Sequence, residues 1–398
     1  MATPKRIWHP TNRFGVGVGG AVRNENADWC PGLFVETEQF HLKNKSALAP
    51  MRLPLYNKNM ISGAELIKIF LLTAFSFVLA MALTPLLTYY LYRYKLAQKM
   101  RTQAWDGTSA QVYLSLHKRK EGTPIMGGLL VWVTAGALTL IFNLSRAQTW
   151  LPLFVLITTG VLGLLDDFLK VRGKNAIQGL SVKLKFFFQF LIASLGAWWF
   201  FYKLEFSEIR VPGASFLGWP EVLDIGWLYV PLFVLVVVFI TNAVNITDGL
   251  DGLAGGVAAV SFGAYMVIAW AQQQYGIAAF CGTVVGALLA FLWFNIYPAR
   301  FFMGDTGSFA LGATLAVIAF LTQSVLVLPI IGFVFVVEAL SSLLQRFSKK
   351  FFKKKIFISA PLHHHLEAVG WPETKVTMRF WVVSVVFAVI GVVLSFAR

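Results

Sequence analysis

An all-α polytopic membrane protein of about ten transmembrane helices is the fold class that three features of the sequence predict. Of 398 residues, 57% are hydrophobic and only 13% charged, and the mean hydropathy is +0.67, too apolar for a soluble domain of this length. Stretches free of Asp, Glu, Lys and Arg recur at about the 20 residues needed to cross a hydrocarbon core about 30 Å thick. The basic residues between those stretches sort by loop. The two cysteines, Cys30 and Cys281, cannot supply a disulfide scaffold, and no Cys and His spacing reads as a structural zinc site.

The expected spans are 69–92, 124–145, 147–165, 186–202, 225–247, 253–271, 277–296, 307–322, 325–345 and 380–397. The uncharged run 252–299 is too long for one crossing and breaks at Gln272-Gln273-Gln274-Tyr275-Gly276. The run 306–337 divides near Gln323-Ser324. Pro329 and Glu338 inside the ninth span predict that it is bent or discontinuous.

Ten crossings put both termini on one side. Loops after odd-numbered spans carry Arg93, Lys95, Lys99, Arg101, Lys118, Arg119 and Lys120, then Lys170, Arg172, Lys174, Lys183 and Lys185, then Arg300, and finally Arg346, Lys349, Lys350, Lys353, Lys354, Lys355, Lys375 and Arg379. Loops after even-numbered spans carry only Arg146, Lys203 and Arg210. By the positive-inside rule the first set is cytoplasmic and both termini lie on the outer, periplasmic side. Between helices 4 and 5, Ile209 and Val211 alternate ahead of the turn residues Pro212-Gly213, predicting a small external hairpin.

Residues 1–60 differ in kind from the membrane domain, 61–398. They are polar, lack a helical period, and carry eight Lys or Arg on the expected outer side. A disordered tail, a non-native leader, or a native start near Met51 or Met60 all fit; no signal-peptide pattern is present.

Polar groups at span ends are costly and therefore functional candidates. Asp166 and Asp167 close span three; Asn242, Asn245, Asp248 and Asp251 close span five; Asn295 and Asp305 bracket the connection from seven to eight; and His363-His364-His365 lies between nine and ten. Parity brings all of them to one face. Adjacent aspartates point about 100° apart on a helix, so one can face a substrate and the other a supporting partner. A solvated acidic end neutralised by Lys170 and Lys174 is the competing explanation. Polar groups at every third position from Asn242 to Asp251, with Gly249 and Gly252, make a hydrophilic cleft that a capped turn does not explain. Asp305 alone fits an N-cap; beside the other acids it fits a hard divalent cation such as Mg²⁺. Three consecutive histidines cannot share one metal from a regular helix. They suit diphosphate anchoring or proton transfer, although a metal-binding tract or surface loop is the alternative. Lys118 to Gly128 reads as a basic flank with Pro124 at a helix start, and it is not a nucleotide phosphate loop. The net charge of +15 points to an anionic partner. Acids for a metal, cations for phosphate and an aromatic such as Phe302 are the parts that phosphoryl transfer at a membrane surface needs.

The segments Gly122-Thr123-Pro124-Ile125-Met126-Gly127-Gly128, Leu165-Asp166-Asp167, Asn242 to Gly252, Phe302-Met303-Gly304-Asp305-Thr306-Gly307-Ser308 and Ala360-Pro361-Leu362-His363-His364-His365 resemble the signature set of the phospho-N-acetylmuramoyl-pentapeptide transferases. These are a branch of the polyprenyl-phosphate N-acetylhexosamine-1-phosphate transferases. The resemblance runs from about residue 65 to the C-terminus. The triple histidine with Gly370-Trp371-Pro372-Glu373 separates it from the N-acetylglucosamine-phosphate branch, and residues 103–116 do not match.

The resemblance implies Mg²⁺-dependent transfer of phospho-N-acetylmuramoyl-pentapeptide from UDP to undecaprenyl phosphate. The products would be lipid I and UMP, formed in peptidoglycan synthesis at the bacterial inner membrane with the site facing the cytoplasm. Asp305 is similar to the metal ligand and Asp166 to the residue that receives or deprotonates the lipid phosphate, with Asp167 in support. Asn242, Asn245 and Asp248 resemble diphosphate and metal-site residues; Lys120, Gly249, Leu250, Asp251, Asn295 and Phe302 resemble a uridine pocket. His363, His364 and His365 would hold diphosphate or sugar, Gln345 would line the same cleft, and Lys170, Lys174 and Lys183 would add positive charge. The expected partners are the two substrates and membrane lipid, with no nucleic acid. Gly255-Gly256 and Gly282 with Gly286 allow either internal packing or a homodimer seam. The alternatives are an N-acetylglucosamine-1-phosphate transferase and a membrane transporter.

Overall fold

The structure, a computed structural model, describes residues 63–97, 120–145, 148–172 and 179–397. The expected tail, residues 1–60, lies outside the described residues, as does Lys174. The elements in order are α1 (Gly63–Arg93), α2 (Gly128–Phe142), α3 (Trp150–Arg172), α4 (Val182–Trp198, continued by a π turn Trp199–Lys203), β1 (Glu208–Arg210), β2 (Val222–Asp224), α5 (Tyr229–Thr247), α6 (Leu253–Ala271), α7 (Tyr275–Asn295), α8 (Gly304–Leu321), α9 (Leu328–Ile331), α10 (Phe333–Phe351), α11 (Leu362–Ala368) and α12 (Glu373–Phe396).

Among the described residues, eight helices are long and apolar enough to cross a membrane, and nine if the bent pair around Gly332 is one span. The remaining expected crossing, 124–145, is α2, which has only 15 residues. Its expected start is spent on backbone pairing instead. Gly127 and Gly128 donate to the carbonyls of Phe302 and Met303 at 2.8 and 3.0 Å, and Phe302 donates back to Pro124 at 2.8 Å. The glutamine break between α6 and α7 and the break after α8 fall where the polar residues predict them. The ninth span is bent by 80°. Gly332 sits at the bend, between α9 and α10, rather than Pro329 or Glu338.

The bundle is organised around α8, in which every residue from Asp305 to Leu321 is buried. Lipid supplies no hydrophobic drive between helices, so close approach through small residues does the packing. Gly128 of α2 abuts Gly307, Gly163 of α3 abuts the Asp305 carbonyl, and Gly312 abuts Thr241 of α5; a Cβ at any of the three would overlap backbone. Gly282 and Gly286 meet Thr73 of α1, Gly255 meets Phe291 and Leu292, and Gly256 meets Trp381. These glycines are therefore used inside the chain rather than at a seam between copies.

On α10 the usual amphipathic pattern is inverted. Glu338, Ser341, Ser342, Gln345 and Ser348 are buried, while Leu340, Leu343, Leu344, Phe347 and Phe351 are exposed, as expected where lipid replaces water outside the helix. The hairpin between α4 and α5 pairs antiparallel, with Glu208 opposite Asp224, Ile209 opposite Leu223 and Arg210 opposite Val222.

Candidate active site

Asp166, Asp167 and Lys170 lie in the last two turns of α3, all buried. Their i, i+3 and i+4 spacing puts one ammonium within reach of both carboxylates. Lys170 Nζ lies 2.8 Å from Asp166, 2.9 Å from Asp167 and 2.8 Å from Asp305 at the start of α8. Lys185, in the first turn of α4, adds a second bridge, at 2.7 Å to Asp166 and 3.0 Å to Asp305. The two aspartates are thus not a solvated helix end. One ligand oxygen from each of Asp166, Asp167 and Asp305 falls within 4.8 Å of the others. Three converging buried carboxylates balanced by only two lysines are a donor set that fits a hard cation, and these residues could hold one.

The N-terminus of α8 is held from outside the helix. Asp305 does not serve as its N-cap; the residue in that position is Met303, without a side-chain cap. The first-turn amides are met instead by Asp248, which accepts from Gly304 at 3.1 Å, and by Asp167, which accepts from the Thr306 amide at 2.9 Å. Carboxylates from two other segments therefore complement this positive helix end, leaving Asp305 free to face Lys170, Lys185 and Asn245. Asn245 donates to Asp305 Oδ1 and to Ser308 Oγ, both at 2.9 Å. Packing around the partly exposed Asp248 pushes its carboxyl up to about 7, against the lowering effect of the Gly304 amide.

The four polar residues of the stripe from Asn242 to Asp251 reach different parts of the fold. Asn242 donates to Gln189 of α4 and to the Val238 carbonyl of its own helix, both at 2.8 Å. Asn245 and Asp248 join the α8 end as above. Asp251 accepts from Lys120 at 2.7 Å and from the Ala299 amide at 3.0 Å. Glu373, at the start of α12, also pairs with Lys120 and accepts from the Asp251 amide at 2.7 Å. Burial opposes the charge on Lys120, but Glu373 and Asp251 outweigh it and hold its pKa above the ordinary range. The Lys120 ammonium lies 5.8 Å from the Phe302 ring centre. Asn295 braces the same turn, accepting from the Gly252 amide at 3.0 Å and donating to the Phe301 carbonyl at 2.9 Å. Leu250 is buried.

The three histidines diverge. His363 is fully buried, with Nδ1 2.8 Å from Glu338 of α10 and Nε2 against Gly249, where a Cβ would overlap it. His364 Nδ1 lies 2.8 Å from Glu367. His365 Nδ1 accepts from the Ile358 amide at 3.2 Å. Burial, and Glu373 beside it, push Glu367 up to about 7, against His363 and Lys120. The carboxylate cluster, the Asp248-Gly249 turn, His363, Glu367 and the Lys120 group thus form one continuous polar region.

Two expected residues stand apart from it. Gln345 spends its amide on the loop after α10, accepting from Ile356 and Phe357 at 3.0 Å and donating to Phe357 at 2.9 Å. Lys183 is exposed and makes none of the carboxylate contacts of its neighbour Lys185. The residues that sequence reasoning missed are Lys185, Thr306, Glu338 and Glu373. Lys185 read as a basic flank, and Glu338 only as a mark of a broken span. Their signal, an ionisable group at or inside an apolar segment, was present without a partner to give it meaning.

Residues 149–323 match glycosyl transferase family 4. The phospho-N-acetylmuramoyl-pentapeptide-transferase of Geobacillus thermodenitrificans is 44% identical over 330 residues, covering 80% of this chain and 95% of the relative. The protein of that name from Anoxybacillus flavithermus is 42% identical over 330 residues, covering 82% and 97%. That of Bacillus subtilis is 42% identical over 320 residues, covering 79% and 94%.

Proposed function

This chain belongs to the phospho-N-acetylmuramoyl-pentapeptide transferase family, and from that premise we propose that it transfers phospho-N-acetylmuramoyl-pentapeptide from UDP to undecaprenyl phosphate, forming lipid I and releasing UMP. The observation that carries the mechanism is the closure of Asp166, Asp167 and Asp305 around Lys170 and Lys185. In a direct displacement, an oxygen of the lipid phosphate bonds to the sugar-linked phosphorus, and the bridging oxygen departs with UMP. Asp166 orients the incoming phosphate, while Lys170 and Lys185 spread the charge gathering on the non-bridging oxygens. Asp167 also anchors the α8 end that carries Asp305, through Thr306.

A Mg²⁺ ion held by Asp305 with its neighbouring aspartates would supply further charge stabilisation for the diphosphate. Asn245 and Asp248 orient that end of the site, and Asn242 supports α4 through Gln189. Lys120, Asp251, Asn295 and Phe302, with the Gly249-Leu250 backbone, suit a uracil base and ribose. The histidine segment, whose His363 ring lies against Gly249 in the turn between Asp248 and Asp251, suits the diphosphate and sugar. The basic loops favour a bacterial cytoplasmic membrane orientation with this site facing the cytoplasm and both termini outside.

The test supplies purified protein with undecaprenyl phosphate and either UDP-N-acetylmuramoyl-pentapeptide or UDP-N-acetylglucosamine, and measures UMP. Release with the first donor alone is expected. Release with the second alone would overturn the substrate assignment. Cysteine-accessibility labelling at positions 183 and 210 reads sidedness, with 183 expected inside and 210 outside.

A further inference from the structure

The segment that carries the histidines is fastened to the buried polar stripe of α10 rung by rung. Ser348 donates to the Lys354 carbonyl at 2.9 Å, Gln345 binds Ile356 and Phe357, and Ser341 accepts from the Leu362 amide at 3.1 Å. Glu338 is the last rung. Its carboxylate accepts from the His363 amide at 3.1 Å through one oxygen and meets His363 Nδ1 at 2.8 Å through the other. Both residues are fully buried. An ionised carboxylate only accepts, and it would then draw its hydrogen bond from Nδ1–H.

That leaves Nε2 as the ring nitrogen able to meet anything else. It is buried without a hydrogen-bond partner among the described residues. It points at Gly249, where a side chain is excluded, in the turn between Asp248 and Asp251. A buried nitrogen left unpaired is normally eliminated by packing or a partner. Here a glycine and a buried acid together hold it in place.

We propose that Glu338 is a positioning residue for the transferase: by accepting a hydrogen bond from Nδ1–H of His363 it fixes the ring tautomer and presents the Nε2 lone pair, as an acceptor, to a substrate hydroxyl that enters beside Gly249. The inference rests on reading the His363 segment as part of the transferase site. Glu338 touches no substrate and acts through His363. A carboxylate behind a histidine generally sets which nitrogen does the work.

The test uses the full-length protein in lipid nanodiscs. Ring ¹⁵N spectra of histidine-labelled protein, with the His363 signal assigned by its loss in His363→Gln, need no substrate and so stand even if the transfer reaction does not. A protonated Nδ1 is expected in the wild type, with the proton displaced toward Nε2 in Glu338→Gln. In the UMP-release assay, Glu338→Gln is expected to lower kcat roughly 10²-fold while KM for the nucleotide stays within about threefold. Glu338→Asp should recover part of the loss. The Glu338→Gln/His363→Gln double variant should be no worse than His363→Gln alone. A wild-type ring protonated only on Nε2, an undiminished kcat in Glu338→Gln, or losses that multiply in the double variant would each overturn the proposal. Failure of UMP release in the wild type, with the expected ring spectra intact, would instead count against the reaction assignment.

Discussion

Asp167 on α3 accepts two hydrogen bonds from Thr306 on α8, from the amide at 2.9 Å and from the hydroxyl at 2.7 Å. The link ties the helix that carries two of the clustered acids to the helix that carries the third. Thr306→Val keeps the shape of the side chain and removes one bond to a charged acceptor, a change expected to lower stability by about 1.5–3 kcal/mol. Asp167→Asn also removes the charge facing Lys170 and should lose more activity than Thr306→Val. Denaturation midpoints and UMP-release rates on the two variants check the order.

Lys170 and Lys185 should separate under substitution. Lys170 is buried and meets three carboxylates, so Lys170→Met strands buried charge and is expected to destabilise the fold by about 3–5 kcal/mol. The Lys185 side chain is 20% exposed and meets two. Lys185→Met is therefore expected to melt closer to the wild type while still losing most UMP release. Thermal scans beside activity assays decide; an equal fall in melting temperature would contradict this division.

Chelation of divalent cations is expected to stop UMP release, and added Mg²⁺ to restore it. Asp305→Asn should raise the Mg²⁺ concentration needed for half-maximal rate by at least about tenfold. A titration of rate against Mg²⁺ for both proteins measures the shift.

Glu367 supplies a pH test away from the carboxylate cluster. Burial and Glu373 raise its pKa from 4.5 to about 7. The folded state therefore holds this proton more tightly than the unfolded chain. Its contribution to stability is full below the unfolded value and is lost as the pH rises through about 7. Relative to Glu367→Gln, the wild type should lose melting temperature between pH 5 and 8, and parallel pH profiles of the two proteins would contradict the assignment.

Most of the helical layout was legible in the sequence because its signals are local. An apolar run of sufficient length forms a span, and Gln272-Gln273-Gln274 ends one because unpaired polar groups do not stay in hydrocarbon. α2 fell short of its expected length because Gly127 and Gly128 pair with Phe302 and Met303, distant residues that no local pattern announces. The bend at Gly332 rather than Pro329 has the same character, since proline is tolerated in the first turn of α9.

The acids, amides and histidines were visible as costly polar groups at span ends, so their identity came from the chain alone. Their pairing did not. Asp305 fitted a cap when read alone and a divalent-cation ligand beside the other acids, and only the fold shows that the first-turn amides of α8 are met by Asp167 and Asp248. Gln345, expected to line the cleft, hydrogen-bonds the loop after α10. Lys185 and Glu338 gained meaning only when Asp166 and His363 arrived beside them. The amino-acid order dictates which segments enter the bilayer and which polar groups must find partners there. Which partner each one finds depends on how closely α2, α3 and α5 press on the glycines of α8, a matter of packing between segments that no single segment encodes.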